Sequence, residues 1–283
     1  MYNTQQKIQM LVEVLPYIKK YSGKIVVIKY GGNAMTDEEG KKSVIADVAL
    51  LRQVGICPVF VHGGGPEINR EMQKANIKPV FVNGLRYTDK KTMGIVRKVS
   101  ANINGEMVKM FKDGGCKAEN ATDGLMKTAI KNSSLGLVGE IVEVDSGRIL
   151  QLIEKGIIPV ISPVGHDGTN YTNINADTVA SKVAEAVNAE KLTILTNVEG
   201  VYENGKLIPH LSVSGAKEGI KKGFISGGMI PKVLACVNAV NKGVKKAHLV
   251  DGTVKHSLLL EIFTDKGIGT EVVKDEKRKS KAA

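Results

Sequence analysis

Lysines set beside glycine turns are the residues of this sequence best suited to chemistry. Lys29 stands two positions before Gly31-Gly32, near the end of the apolar run Lys24–Tyr30. A second apolar run, Cys57–His62, leads into Gly63-Gly64-Gly65-Pro66, and Gly227-Gly228-Met229 precedes Pro231 and Lys232. Glycines at a strand end expose backbone N–H groups, and the helix that follows adds positive dipole, so such turns hold anions without a side chain. One such turn reads equally well as a tight strand–helix connection. Three of them, two with a lysine close by, point to phosphate. Lys29 lies in an apolar strand, where charge is seldom buried unless paired or functional. Lys232 falls in the first turn of a helix, where a cation opposes the dipole. Asp177, behind Asn173-Ile-Asn175-Ala176, is placed to hold these lysines, to hold a metal or to cap its helix.

Other chemistries fail on spacing. Gly200–Lys206 has the separation of a P-loop, but Leu207 replaces the hydroxyl residue, and a turn-like context predicts a surface hairpin. His62-Gly-Gly-Gly65 resembles an oxyanion loop, yet no G-x-S-x-G elbow supplies a nucleophile. Gly31-Gly32-Asn33-Ala34-Met35 lacks the dinucleotide spacing, and neither HExxH nor a cysteine pair offers a metal site. No histidine, cysteine or serine is arranged as base or nucleophile. Phosphoryl transfer to an acceptor already ionised at neutral pH needs none; a carboxylate, with a pKa of about 4.3, is such an acceptor.

The elements that must position these residues repeat as strand, glycine turn and helix. Residues 4–21 read as an amphipathic helix through Ile8, Leu11, Val12, Leu15 and Ile18. Strands at 24–30 and 57–62 alternate with helices, the pattern of a parallel sheet covered on both faces, with ligands beyond the carboxyl strand ends. The alternation over Leu137–Ile149 predicts antiparallel strands with a turn at Asp145-Ser-Gly147. Strands at 156–162, 192–195 and 246–250 then interleave with helices at 177–188, from 227 onward and at 257–264. With no low-complexity linker between them, two lobes are expected to share one continuous sheet.

Composition narrows the partners. Aromatic residues make up 4% of the 283 and tryptophan is absent, which disfavours a stacking platform for nucleic acid. The net charge is +11, but the tail Lys274–Lys281 holds five basic and two acidic residues, a solvated end expected to be disordered. The rest suits anionic metabolites, and no nucleic acid is expected. Cys57, Cys116 and Cys236 stand in no pairing pattern, and no signal peptide or membrane-length apolar run is present, so a cytoplasmic protein without a membrane partner is expected.

Five segments carry a resemblance: Val27-Ile-Lys-Tyr-Gly-Gly-Asn-Ala34, Val61-His-Gly-Gly-Gly-Pro-Glu-Ile68, Gly84-Leu-Arg-Tyr-Thr88, Asn173-Ile-Asn-Ala-Asp177 and Gly227-Gly-Met-Ile-Pro-Lys-Val233. They resemble the amino-acid kinase family over roughly residues 8–272. The GLR-T and NINAD motifs match its N-acetylglutamate branch rather than its carbamate, aspartate or uridylate branches. The resemblance implies an α/β fold, a three-layer αβα sandwich with a mostly parallel central sheet. It implies transfer of the γ-phosphoryl of ATP, with Mg²⁺, to the side-chain carboxylate of N-acetyl-L-glutamate, giving an acyl phosphate for arginine synthesis. Lys29 and Lys232 would stabilise the transferring group and Asp177 orient them. Gly64, Gly65, Arg86 and Asn173 would hold the acceptor; Arg86 suits a carboxylate, which its planar fork grips bidentately. Gly31, Gly32, Thr196, Asn197, Gly228 and Met229 would meet ATP.

The resemblance also implies an organisation: 1–22 an interlacing helix, 23–188 an acceptor lobe, 189–272 an ATP lobe and 273–283 a disordered basic tail. Arginine-inhibited members form hexamers through that first helix, so a homodimer or homohexamer (a trimer of dimers) is expected. Their L-arginine pocket corresponds to His248, Glu261 and Gly267. The chain departs from the family pattern at Ala118–Gly124, where a glycine-lysine turn is usual. A non-catalytic arginine or nucleotide sensor on the same fold is the alternative, against which intact Lys29, Asp177 and Lys232 argue.

Overall fold

A computed structural model describes residues 3–275 except Asn83 and Lys266. Residues 276–283, most of the expected tail, lie outside the described residues. Helix α1 (Thr4–Tyr21) opens with a capping box between Asn3 and Gln6. Ile8, Leu11, Val12 and Leu15 are exposed, so the helical apolar pattern marks a face that the described residues of this chain do not cover.

The first two units are β1 (Ile25–Tyr30), α2 (Glu38–Gln53), β2 (Cys57–His62) and α3 (Gly65–Lys74), with Pro66 in the first turn of α3. The short strands β3 (Phe81–Val82) and β4 (Leu85–Arg86) lead to α4 (Lys90–Asp113), β5 (Ala118–Asn120) and β6 (Met126–Ile130). Next come β7 (Gly139–Val144), α5 (Ser146–Glu154), β8 (Ile158–Ile161), β9 (Val164–His166), β10 (Tyr171–Asn173) and α6 (Ala176–Ala186). The chain continues through β11 (Lys191–Thr196), β12 (Tyr202–Glu203), β13 (Lys206–Leu207), β14 (His210–Ser212) and α7 (Val213–Lys222). It ends with α8 (Met229–Asn241), β15 (Lys246–Asp251), α9 (Ser257–Ile262) and β16 (Thr270–Val273).

Eight strands form one sheet in the order β14-β16-β15-β11-β1-β2-β8-β5. From β15 to β5 all neighbours are parallel, while β16 runs antiparallel to β15. Pleating sends successive side chains to opposite faces. Val26 and Ile28 pack in a core with residues of α2, α3, α4 and α9, and Val27 packs in a second core with residues of α5, α6, α7 and α8. The sequence therefore builds the three αβα layers it predicts, on one continuous, mostly parallel sheet.

A second sheet, in the order β10-β9-β6-β7, holds the antiparallel pairing expected near residue 140. The expected turn at Asp145–Gly147 is instead the start of α5, where Asp145 Oδ1 accepts the Arg148 N–H at 3.1 Å. Aspartate opens turns and helices alike. Here Ile149, fully buried, together with Leu152 and Ile153, commits the segment to a helix. The Gly200–Lys206 segment forms the predicted hairpin, β12 with β13, with positive φ at Asn204 and Gly205. At the other end, Val273 closes β16 and Asp275 Oδ1 accepts the Ser214 N–H at 2.9 Å, so the described part of the expected tail is held against the sheet and α7.

Removing the α5 cap by Asp145→Ala is expected to cost about 1 kcal/mol in urea unfolding, with an unchanged denaturant slope. An unaltered midpoint would contradict the capping role.

Candidate active site

Lys29 shares its face of β1 with Val27, and that face looks toward α6 and α8. There its amine lies 2.9 Å from Asp177 Oδ1 on α6, and the Lys232 amine on α8 lies 3.8 Å from Asp177 Oδ2. Lys29 and Asp177 are buried. Asn175, not Asp177, caps α6, since its Oδ1 accepts the N–H groups of Asp177 at 2.8 Å and Thr178 at 3.1 Å. The Asp177 carboxylate is thus left for the lysines. Burial pushes its pKa up, but the charges of Lys29 and Lys232 outweigh this and hold it below the usual carboxylate range. Burial lowers the Lys232 amine, Asp177 raises it, Lys29 lowers it further, and the net result lies below the usual lysine range.

Glycine turns close over this triad. The Gly63 N–H donates to the Tyr30 carbonyl at 2.8 Å, so the ends of β1 and β2 abut. A Cβ on Gly31 would meet Gly63 Cα at 3.0 Å and the Lys29 amine at 3.1 Å. Gly31 is extended (φ 171), so space, not backbone conformation, requires glycine there. His62 is fully buried with Nδ1 2.8 Å from the Gly63 carbonyl oxygen. Burial drives its pKa to about 4, which keeps the imidazole neutral near pH 7 and unsuited to serve as a base there.

These elements enclose a cavity of about 200 Å³ lined by Lys29, Gly32, Gly63, Gly64, Gly65, Arg86, Asn173 and Asp177, among others. Among the described residues no histidine, cysteine or serine lines it. Arg86 is 8% exposed. Its guanidinium donates to Met72 Sδ at 3.2 Å and to the Gly65 carbonyl at 3.4 Å, and it lies 4.8 Å from the Phe81 ring centre. Among the described residues it has no carboxylate partner. A buried guanidinium with no counter-charge stays ionised and is open to a ligand carboxylate. Asn173 donates through Nδ2 to Thr88 Oγ1 at 3.1 Å.

The remaining expected residues lie outside this cavity. Lys232 reaches its edge through Asp177 and donates to the Gly228 carbonyl at 3.1 Å. Thr196 closes β11, with Asn197 directly after it, and Gly228 and Met229 open α8. Among the described residues no three His, Cys, Asp or Glu side chains converge to hold a metal ion.

His248, Glu261 and Gly267 do come together, in a separate cavity of about 360 Å³ at the amino ends of β11 and β15. Glu261 Oε1 pairs with Lys191 and lies 3.0 Å from His248 Nε2, and Oε2 accepts the Ile268 N–H at 2.7 Å. Burial raises the Glu261 pKa, but His248 and Lys191 overcome it and bring it to about 2. Gly267 has φ +57, and a Cβ there would fall 2.6 Å from Glu261 Oε2. Tyr17, Lys20 and Tyr21 of α1 complete the wall. The sequence reading missed Lys191, although the signal that exposed Lys29 applies: a lysine at the edge of an apolar strand, here 1% exposed.

Residues 24–251 match the amino acid kinase family. The chain is 50% identical to the acetylglutamate kinase of Thermoanaerobacter pseudethanolicus and 53% identical to that of Caldanaerobacter subterraneus subsp. tengcongensis, in each case over 95% of this chain and 94% of the relative. Among solved structures, an N-acetylglutamate synthase from Neisseria gonorrhoeae complexed with coenzyme A and N-acetyl-glutamate superposes with a TM-score of 0.86 at 24% identity. That likeness covers 95% of this chain and 64% of the synthase chain. A carbamate kinase from Giardia lamblia bound to AMP-PNP superposes with a TM-score of 0.66 at 19% identity, over 90% of this chain and all of that one. Both likenesses are of fold.

Asp177→Asn would leave two ammonium groups without their shared counter-charge, and at pH 7 it is expected to cost about 3 kcal/mol of stability. Because the Asp177 pKa is depressed on folding, its contribution is present above the unfolded pKa and is lost as pH falls through the folded one. Acid unfolding from pH 5 to pH 2 should therefore weaken the parent more than the variant. Parallel curves for the two proteins would contradict the ion-pair geometry.

Proposed function

The chain belongs to the amino acid kinase family, within it to the acetylglutamate kinases, and we propose that it transfers the γ-phosphoryl of ATP to the side-chain carboxylate of N-acetyl-L-glutamate. The observation that carries the reading is the Lys29–Asp177–Lys232 triad beside a cavity whose only further buried cation is the unpaired Arg86, among the described residues. Arg86 takes the acceptor's α-carboxylate, and Asn173 meets its acylamino group. The side-chain carboxylate then points toward Lys29 and the N–H groups of Gly64 and Gly65.

The reacting carboxylate oxygen forms a bond to the γ-phosphorus as the bond from that phosphorus to the bridging oxygen breaks, and ADP leaves with the electron pair. No proton has to be removed, which agrees with a cavity lined by no histidine, cysteine or serine among the described residues, whose one carboxylate, Asp177, is committed to two lysines, and with a His62 too weakly basic to take a proton. Lys29 and Lys232 offset the repulsion between two anions, and Asp177 holds both amines in place. Thr196, Asn197, Gly228 and Met229 serve the nucleotide from an ATP lobe over 189–272, while Gly31 and Gly32 reach it from the acceptor lobe over 23–188. Both Asp177 oxygens face lysines, so Mg²⁺ would enter with the triphosphate rather than on a protein carboxylate of this site, and would supply neutralisation of phosphate charge.

The same reading includes feedback by L-arginine in the second cavity. There Glu261 supplies a carboxylate for a guanidinium, and α1 supplies part of the wall. The exposed apolar face of α1 supports an interlaced hexamer built from dimers.

Hydroxylamine trapping of the acyl phosphate, run with N-acetyl-L-glutamate, glutamate and aspartate, should give product only with the first. Product from glutamate in its place would overturn the substrate assignment. Lys29→Met and Lys232→Met should each lower kcat by about 100-fold with little change in acceptor KM. Unchanged turnover would remove their roles. Calorimetry should detect arginine binding to the parent protein, and saturating arginine should slow the trapped reaction; no binding would dismiss the feedback reading.

A further inference from the structure

Thr88 is fully buried, and none of the roles described so far includes it. Its hydroxyl lies 2.8 Å from the Arg86 carbonyl oxygen and 3.1 Å from Asn173 Nδ2, a residue 85 positions away. A threonine hydroxyl has a single proton. That proton goes to the Arg86 carbonyl, and the lone pairs of the same oxygen accept from the Asn173 amide. The backbone reinforces the junction. Thr88 N–H donates to the Leu135 carbonyl at 3.0 Å, Leu137 N–H donates to the Thr88 carbonyl at 2.6 Å, and Asn173 N–H donates to the Leu137 carbonyl at 2.8 Å. The 135–137 segment therefore straps Thr88 to β10.

An asparagine amide carries a donor on one side and an acceptor on the other, and its network decides which way each faces. With Nδ2 held by Thr88, Asn173 turns Oδ1 away from Thr88 and offers the cavity an acceptor. We propose that Thr88 is a positioning residue for acceptor recognition: its hydroxyl fixes the Asn173 amide with Oδ1 toward the cavity and ties that amide to the strand carrying Arg86. The proposal rests on the reading of Arg86 and Asn173 as ligands of the phosphoryl acceptor. An acceptor with a carboxylate and an amide N–H satisfies both residues at once, the guanidinium donating and Oδ1 accepting. Without the hydroxyl the amide is free to flip, and Nδ2 then opposes the substrate N–H, donor against donor. A site built around a hydrogen bond discriminates strongly against analogues that lack it.

The test compares Thr88→Val, which keeps the shape and loses the hydroxyl, with Thr88→Ser, which keeps the hydroxyl. Acceptors are N-acetyl-L-glutamate and its ester isostere, in which oxygen replaces the N–H. Thr88→Val should raise the KM for N-acetyl-L-glutamate about tenfold, leave the KM for ATP within about twofold, and erase most of the preference for amide over ester. Thr88→Ser should stay within about threefold of the parent on all three. If Thr88→Val yields no folded enzyme, Thr88→Cys, a poor hydrogen-bonding group close to serine in size, is read against Thr88→Ser in the same assays. An unchanged amide preference in Thr88→Val, or an equal defect in Thr88→Ser, overturns the proposal. Arg86→Lys and Asn173→Ala separate the levels. If neither alters the acceptor KM, the site assignment itself falls, whereas if both raise it and Thr88→Val does not, only the role of Thr88 falls.

Discussion

A buried and a half-buried ammonium group sharing one buried carboxylate are the constraint on which this structure turns. Lys29 and Lys232 face Asp177 from β1 and α8, and the three side chains together hold one uncompensated positive charge. Removing that much charge from water costs several kcal/mol unless further partners are supplied. A phosphate bound there would supply them, turning a liability of the free protein into affinity for an anion. The arrangement needs the pleat of β1 to send Lys29 toward α6 and α8, and it needs Asn175 to take over the capping that would otherwise occupy Asp177. It also needs Gly31, because a side chain there would press on Gly63 and on the Lys29 amine.

The same sheet carries a second charge cluster on its other face and toward its other end. Lys191 and His248 alternate with the residues of β11 and β15 that pack against α6 and α8, so they point to α9, where Glu261 meets both. Lys191 lies three residues before the partner of Lys29 on β11, so about 10 Å of strand and the thickness of the sheet separate the two lysines. β1 and β11 are paired in register, Lys29 opposite Ile194, so a rigid ladder joins Lys29 to the strand that begins at Lys191. The lower cluster is closer to neutral, because one carboxylate faces one lysine and an imidazole whose pKa burial pushes down.

The sequence revealed most where a residue broke its local rule. Lys29 in an apolar strand and Lys232 against a helix dipole pointed to a candidate site, and the structure brings both to Asp177, with the strand-end glycines beside them. The parallel layers followed from apolar runs of strand length alternating with helical periods. What stayed hidden depended on contacts between distant segments. Asp145 reads the same before a turn as before a helix, and only the burial of Ile149 decides. Thr88 is an ordinary threonine until Asn173 arrives from β10. Lys191 obeyed the same logic as Lys29 but had no glycine turn beside it to draw notice.

The central claim is that positioned positive charge, with no base, performs the transfer. The pH dependence of kcat, at saturating ATP and N-acetyl-L-glutamate, tests it most directly. The account predicts a rate that is level from about pH 5.5 into the alkaline range, since the acceptor carboxylate is already ionised. In kcat/KM for ATP, which reports the free enzyme, the rate should fall at a pH below the ordinary lysine pKa, as the depressed Lys232 amine loses its proton. A rate that rises through pH 6 to 7 on a single ionisation would instead reveal a general base and contradict the account.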